Sequence, residues 1–254
     1  VLLVPLGNAY VTFCARFLSD TPFQHHYPPL LVGLVVSTVG ALGVTFAWIL
    51  LRQIVGQREI ERTLATRRKA PDAEVLALFD RLNIAERVTL THDSSVFVFC
   101  GGLIRPHIYL SNGLVDLLTS DEFEAVLLHE RHHLLRHDPL RLFSSLLIRP
   151  FAVVFPVTSG IADWITIRVE LAADRAVLRV VSVDVLASAL VKVMRAMPVH
   201  NNPAAVAGLS PTDARVSALL GRPAEIAIDR RDVVVSLVVG CLLLTLVAWL
   251  ATQS

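Results

Sequence analysis

From Leu30 to Leu51 the chain carries no charged side chain, and an apolar run of that length must either lie in a bilayer or be wrapped in protein on every side. A second uncharged run extends from Val233 to Ala251, and each run contains a tryptophan near its end, Trp48 and Trp249. Tryptophan favours the membrane–water boundary, so both runs are expected to span. Hydrophobic residues make up 54% of the chain, a share that suits a membrane protein better than an ordinary soluble domain. Val1 to Leu18 is a weaker third candidate. It is interrupted by Asn8 and Arg16 and has neither a basic leader nor a small-residue cleavage site.

The basic residues set the expected orientation. Arg52, Arg58, Arg62, Arg67, Arg68 and Lys69 follow the first run, and Arg230 and Arg231 precede the last. Asp20 to Pro29 holds no lysine or arginine. By the positive-inside bias, the segment between the runs faces the cytoplasm. Cys14, Cys100 and Cys241 offer no disulfide framework, which agrees with a reducing compartment. His25 and His26 on the outer loop read as an incidental exposed pair. A net charge of +1, with basic residues beside the apolar runs rather than in one patch, argues against nucleic-acid binding.

Between the runs stands His129-Glu130-Arg131-His132-His133. On a helix, residues four apart lie on one face, so His129 and His133 can direct their imidazoles at one metal ion with Glu130 beside it. Such a pentapeptide arises by chance in about one chain in a hundred of this length and histidine content, so its surroundings decide. Thr119-Ser120-Asp121-Glu122 is a capping-box start with acidic residues in the first turn. Phe123, Val126 and Leu127 mark a buried stripe that continues by threes and fours to Glu130, Leu134 and His137. Ionisable groups thus occupy core positions, where burial without a partner costs several kcal/mol, on the order expected for an unpaired charge. Pro139 ends the helix, because it disfavours helical backbone at Asp138.

A third ligand is sought in Glu170-Leu171-Ala172-Ala173-Asp174. Its two carboxylates are also four apart, so one can reach a metal while the other orients a ligand histidine. This is the gluzincin arrangement. A metzincin would need glycine and histidine three and six residues after His133, where Arg136 and Pro139 stand.

Three segments, Phe99-Cys100-Gly101-Gly102-Leu103-Ile104-Arg105-Pro106-His107-Ile108-Tyr109-Leu110-Ser111, His129 to Pro139, and Glu170 to Asp174, resemble the membrane-embedded gluzincins that include the BlaR/MecR antirepressor peptidases. More distantly they resemble HtpX-type and CAAX-prenyl proteases. The resemblance implies zinc held by His129, His133 and Glu170, Glu130 as general base, and Asp174 behind a ligand. These families place apolar or small residues where Arg131 and His132 stand here, so both are expected to point away from the metal. The resemblance also implies that the strand before the catalytic helix holds substrate, which Ser95 to Phe99 matches best, with Ser95, Val96, Phe97 and Val98 as contacts; an ordinary core strand is the competing reading. Arg215-Val216 resembles the Arg-Ile or Arg-Val pair that follows the active site in related peptidases, making Arg215 a candidate for substrate or oxyanion contact, although a surface arginine is the favoured reading.

The expected fold is a mostly α integral membrane protein: a gluzincin-like α+β protease domain, with a small antiparallel sheet and the H-E-x-x-H helix, flanked by transmembrane helices. Residues 1–51 form the N-terminal membrane region, 52–71 a basic cytoplasmic linker, 72–232 the peptidase domain and 233–254 the last span with a short tail. Arg87 to Leu90, Ser95 to Phe99 and His107 to Leu110 are the expected strands. Asp72 to Leu82, Asp184 to Met197 and Thr212 to Leu220 are expected helices, with Pro198 to Pro211 a loop. Leu142 to Ile167 is apolar but broken by Arg149, Pro150, Pro156 and Gly160, which suggests a re-entrant or interfacial segment.

The expected activity is zinc-dependent endopeptidase action on a protein or peptide substrate at the bacterial plasma membrane. By resemblance the substrate is a cytoplasmic transcriptional repressor, or a damaged membrane protein as for HtpX. The chain ends at Ser254 without a penicillin-binding sensor, so an activating signal is expected through another part or a partner. A non-catalytic membrane scaffold with structural zinc is the contrasting expectation, and it would need a fourth protein ligand such as His137 or Cys100.

Overall fold

A computed structural model describes residues 29–196, 211–222 and 228–252. The expected span at Val1 to Leu18, together with Cys14, His25 and His26, lies outside the described residues, as does most of the expected loop before Pro211.

The first described helix, α1 (Pro29–Thr66), runs without a break through the uncharged segment and on through the basic one. Within it, Val36–Gly56 is the stretch among the described residues that is long and apolar enough, by length and composition, to cross a membrane. Val39, Val44 and Leu51 on it are exposed. Leu64, in contrast, is buried against the domain. The chain then lies along strand β1 (Val88–Thr91), with the Lys69 amide donating to the Leu90 carbonyl at 2.9 Å and the His92 amide to the Arg67 carbonyl at 2.7 Å. Arg67 also pairs with Asp93 at 3.1 Å.

Helix α2 (Ala73–Arg81) buries Phe79 under the sheet. Strands β2 (Val98–Gly101) and β3 (His107–Ser111) follow, in the order β1-β3-β2. The expectation of an antiparallel sheet is corrected here: β3 pairs antiparallel with β2 but parallel with β1. Gly101-Gly102 folds β2 and β3 into a hairpin, while the segment before β2 carries the chain past β3 to the far edge. Residue alternation states which faces of a strand are buried, not which neighbour it takes. Gly102 has φ +97°, and a Cβ there would meet the Arg105 carbonyl oxygen at 2.4 Å, so this turn requires glycine. The second strand also starts later than expected. Asp93 accepts from both the amide and the hydroxyl of Ser95, at 2.9 and 2.6 Å, a local turn that keeps Ser95 out of the ladder.

Ile108, Leu110, Leu114, Phe79, Ile84, Leu127 and Leu134 form the centre of the core. Helix α3 (Asn112–Leu117) follows β3, capped by the Ser111 hydroxyl. Helix α4 (Ser120–Arg136) carries the histidine motif, and its expected capping box is present: the Glu122 carboxylate accepts from the Thr119 amide at 2.9 Å and the Thr119 hydroxyl from the Glu122 amide at 3.4 Å. His137 then turns the chain with φ 53°, and α5 (Asp138–Ile148) begins at once, with Pro139 in its first turn, where its missing N–H costs nothing. The apolar segment from Leu142 to Ile167 is divided among α5, a short 3-10 helix (Arg149–Val153) and α6 (Val157–Val177).

Helices α7 (Val183–Ala196) and α8 (Pro211–Leu219) pack against α4 and α6. Glu122 accepts from Lys192 at 2.7 Å and from Ser188 at 2.6 Å, tying α7 to the start of α4. The last helix, α9 (Arg230–Thr252), covers the expected second span. Its Ser236 hydroxyl accepts from the Val157 amide at the start of α6, and its Leu237, Leu242 and Leu244 are exposed.

Candidate metal centre

Helices α4 and α6 bring His129, His133 and Glu170 together, with one ligand atom from each lying within 4.8 Å of the others. The two Nε2 atoms are 3.0 Å apart, and the Glu170 oxygens lie 3.4 Å from His129 Nε2 and 3.7 Å from His133 Nε2. Donors about 2.1 Å from a tetrahedral zinc would be separated by about 3.4 Å, so the observed spacings bracket what such an ion requires. Two imidazole nitrogens aimed at each other at 3.0 Å need either a shared proton or a cation between them. The donor set of two imidazoles and a carboxylate suits a divalent metal.

Both rings are held from behind. His129 Nδ1 is 3.0 Å from Asp174 Oδ1, and His133 Nδ1 is 3.0 Å from Asp138 Oδ2. A carboxylate accepting from Nδ1–H leaves the Nε2 lone pair facing the centre. Both aspartates are buried. Asp138 was not singled out in the sequence, where it reads only as the residue before a proline. The left-handed turn at His137 swings it back under His133, and its position five residues beyond the second histidine was the available signal.

Arg215 is not a surface residue: its side chain is 16% exposed. From α8 it donates two hydrogen bonds to Asp174, Nε to Oδ2 and Nη2 to Oδ1, both at 2.7 Å. Its Nη1 lies 3.3 Å from Glu170 Oε2. A bidentate guanidinium fixes the plane of a carboxylate as well as its charge, so Arg215 sets the carboxylate that sets His129. The Arg215-Val216 pair marks Arg215 in the sequence, but its pairing with Asp174 follows only from the coming together of α6 and α8.

The electrostatics follow from this crowding. Burial disfavours a charged His129, yet the hydrogen bonds to Asp174 and Glu170 outweigh it and raise its pKa to about 9. Burial likewise works against an ionised Glu170, but the contacts with His129, His133 and Arg215 bring it down to about 2. Asp174 is lowered by His129 and Arg215 against its own burial. The cluster is therefore built to carry positive charge at its centre.

A cleft of about 360 Å³ opens onto these groups, lined among others by Glu130, Val98, Phe99, Cys100, Leu190 and Arg215. Glu130 is buried and lies on α4 between His129 and His133. Of the strand residues expected to hold substrate, Val98 lines the cleft, while Ser95, Val96 and Phe97 precede β2 and are not among its lining residues. Arg131 donates to the Leu82 carbonyl at 2.7 Å, on the core side, and His132 is not part of the cluster. His137 is exposed at the end of α4. Cys100 is half-buried in β2, where burial and the nearby Glu130 and Asp138 push its thiol up to about 12.

Two buried histidines and a half-buried glutamate at the floor of a cleft, with an aspartate behind each imidazole, form a group that could hold a metal ion. Residues 20–219 match the family model of the BlaR1 peptidase M56, and the chain belongs to that family. Membership implies a membrane-associated metallopeptidase acting on protein or peptide substrates. No curated protein matches the chain.

Proposed function

We propose that this protein is a zinc endopeptidase whose site lies on the cytoplasmic side of the membrane, with His129, His133 and Glu170 as the metal ligands and Glu130 as the general base. The observation that supports this most directly is the convergence of the three donors at the floor of the cleft with a buried aspartate behind each imidazole. A zinc ion held there supplies Lewis acidity, polarising a scissile carbonyl and making water a nucleophile near neutral pH.

The side chains carry the rest. Glu130 accepts the proton of the attacking water and delivers it to the leaving amine nitrogen. Asp174 and Asp138 hold the two imidazoles in the tautomer that leaves Nε2 free, and Arg215 keeps Asp174 ionised and aimed. β2 is an edge of the three-stranded sheet and lines the cleft, which suits an extended peptide added along it. The described metal group has three donors and His137 is exposed, which favours an open catalytic position over a closed structural site. α1 and α9 cross the bilayer in this reading, with the basic segment after Val36–Gly56 in the cytoplasm and a cytoplasmic repressor as one substrate.

The full chain, purified in detergent with zinc, is expected to cleave β-casein at discrete bonds identifiable by mass spectrometry. Glu130→Gln is expected to keep its zinc and lose about 10²- to 10⁴-fold in rate, the usual contribution of a general base. Native-rate cleavage by that variant would sink the assignment.

A further inference from the structure

The β2–β3 hairpin ends in Leu103, Ile104 and Arg105, and Ile104 is 86% exposed. A single exposed isoleucine needs no explanation by itself; its position does. Leu103 and Gly102 share a cavity of about 770 Å³ with Trp48, Ile49 and Arg52 of α1 and with Leu146 of α5. The hairpin tip is therefore level with the last turns of the apolar stretch Val36–Gly56. There the Arg52 guanidinium stands 5.3 Å over the Trp48 ring, an aromatic and a cation of the kind that collects at a bilayer surface. Leu140 and Leu146 on α5, and Val153 just after it, are also exposed. Arg105, exposed beside Ile104, is placed to meet anionic headgroups.

We propose that the hairpin tip is a membrane-surface anchor: Ile104 enters the headgroup–acyl boundary and Arg105 pairs with phosphate. The proposal rests on the reading of α1 as a membrane-crossing helix. The bilayer, rather than a protein partner, is the occupant because the patch is continuous with the apolar face of that helix and carries the matching positive charge. The hairpin then adds a contact with the bilayer to those of α1 and α9, and it holds the sheet at a set height. The open side of β2 runs from this tip into the metal cleft, Gly101 at the membrane end and Val98 at the other. A peptide leaving the bilayer meets β2 directly.

The test is nitroxide accessibility on the full chain with Cys14, Cys100 and Cys241 replaced by serine, reconstituted in phosphatidylcholine–phosphatidylglycerol vesicles. Labels are placed by Ile104→Cys and, separately, Arg105→Cys, with Val44→Cys as the lipid reference and Glu86→Cys as the aqueous one. At position 104 collisions with oxygen are expected to exceed those with a water-soluble nickel chelate several-fold, as at position 44, with position 105 shallower and position 86 reversed. An aqueous profile at 104 with a lipid profile at 44 overturns the anchor while leaving the crossing of α1 intact. An aqueous profile at 44 removes the crossing and the anchor with it. Exclusion of both reagents at 104 means that protein covers the tip, which also overturns the proposal.

Discussion

Asp138 Oδ2 lies 3.0 Å from His133 Nδ1 although the two residues belong to different helices, because the left-handed backbone of His137 folds the start of α5 back beneath the end of α4. Asp138 is 1% exposed and also accepts from Arg141 at 3.2 Å. His133 thus stands to Asp138 as His129 stands to Asp174.

This symmetry predicts similar penalties for Asp138→Ala and Asp174→Ala. Each removes an orienting hydrogen bond without removing a ligand, and a loss of about ten- to a hundredfold in zinc affinity is the usual scale. Competition with a chromophoric chelator measures it. Unchanged affinity in either variant would assign that aspartate a purely structural part.

Removal of a ligand must cost more. His133→Ala takes away one of three donors and leaves His129 Nε2 and Glu170 too few to close a site. Elemental analysis of the purified variant should show near-complete loss of zinc, and full stoichiometry would refute the ligand set.

Arg215→Met leaves Asp174 buried without its bidentate partner. Breaking a buried ion pair on one side costs about 3–5 kcal/mol, so the apparent unfolding temperature should fall and zinc affinity with it. Arg215→Lys keeps the charge but not the fork, and is expected to recover stability more fully than affinity. Equal recovery of both would show that charge alone is what Asp174 needs.

Glu122 gives the domain an acid-sensitive tie. Burial raises its pKa, but the hydrogen bonds from Lys192, Ser188 and Thr119 outweigh this and bring it from 4.5 down to about 2. A carboxylate depressed in the folded state contributes stability that is complete above its unfolded value and is lost as pH falls through its folded one. Stability supplied by Glu122 is therefore full above about pH 4.5 and disappears towards about pH 2. Thermal unfolding with metal chelated throughout should show the gap between the native chain and Glu122→Gln closing across that window. A gap independent of pH would place the effect in packing.

Much of the centre was legible because it is local. Thr119 and Glu122 three apart specify a helix start, His129 and His133 four apart share a face, and Glu170 and Asp174 four apart share another; each follows from the pitch of one helix and needs no knowledge of its neighbours. Tertiary structure alone decided the rest. It brought Arg215 from α8 onto Asp174, a contact that neither the Arg215-Val216 pair nor helical pitch specifies. It placed β3 between β1 and β2, a choice of neighbours that strand periodicity does not encode. It made Asp138 a partner of His133 through one residue in the left-handed region, where a histidine is uncommon and the surrounding packing has to hold it. Helical pitch repeats every few residues and can be read along the chain, whereas contacts between helices depend on how whole faces are buried against one another, and that is set only when the core closes.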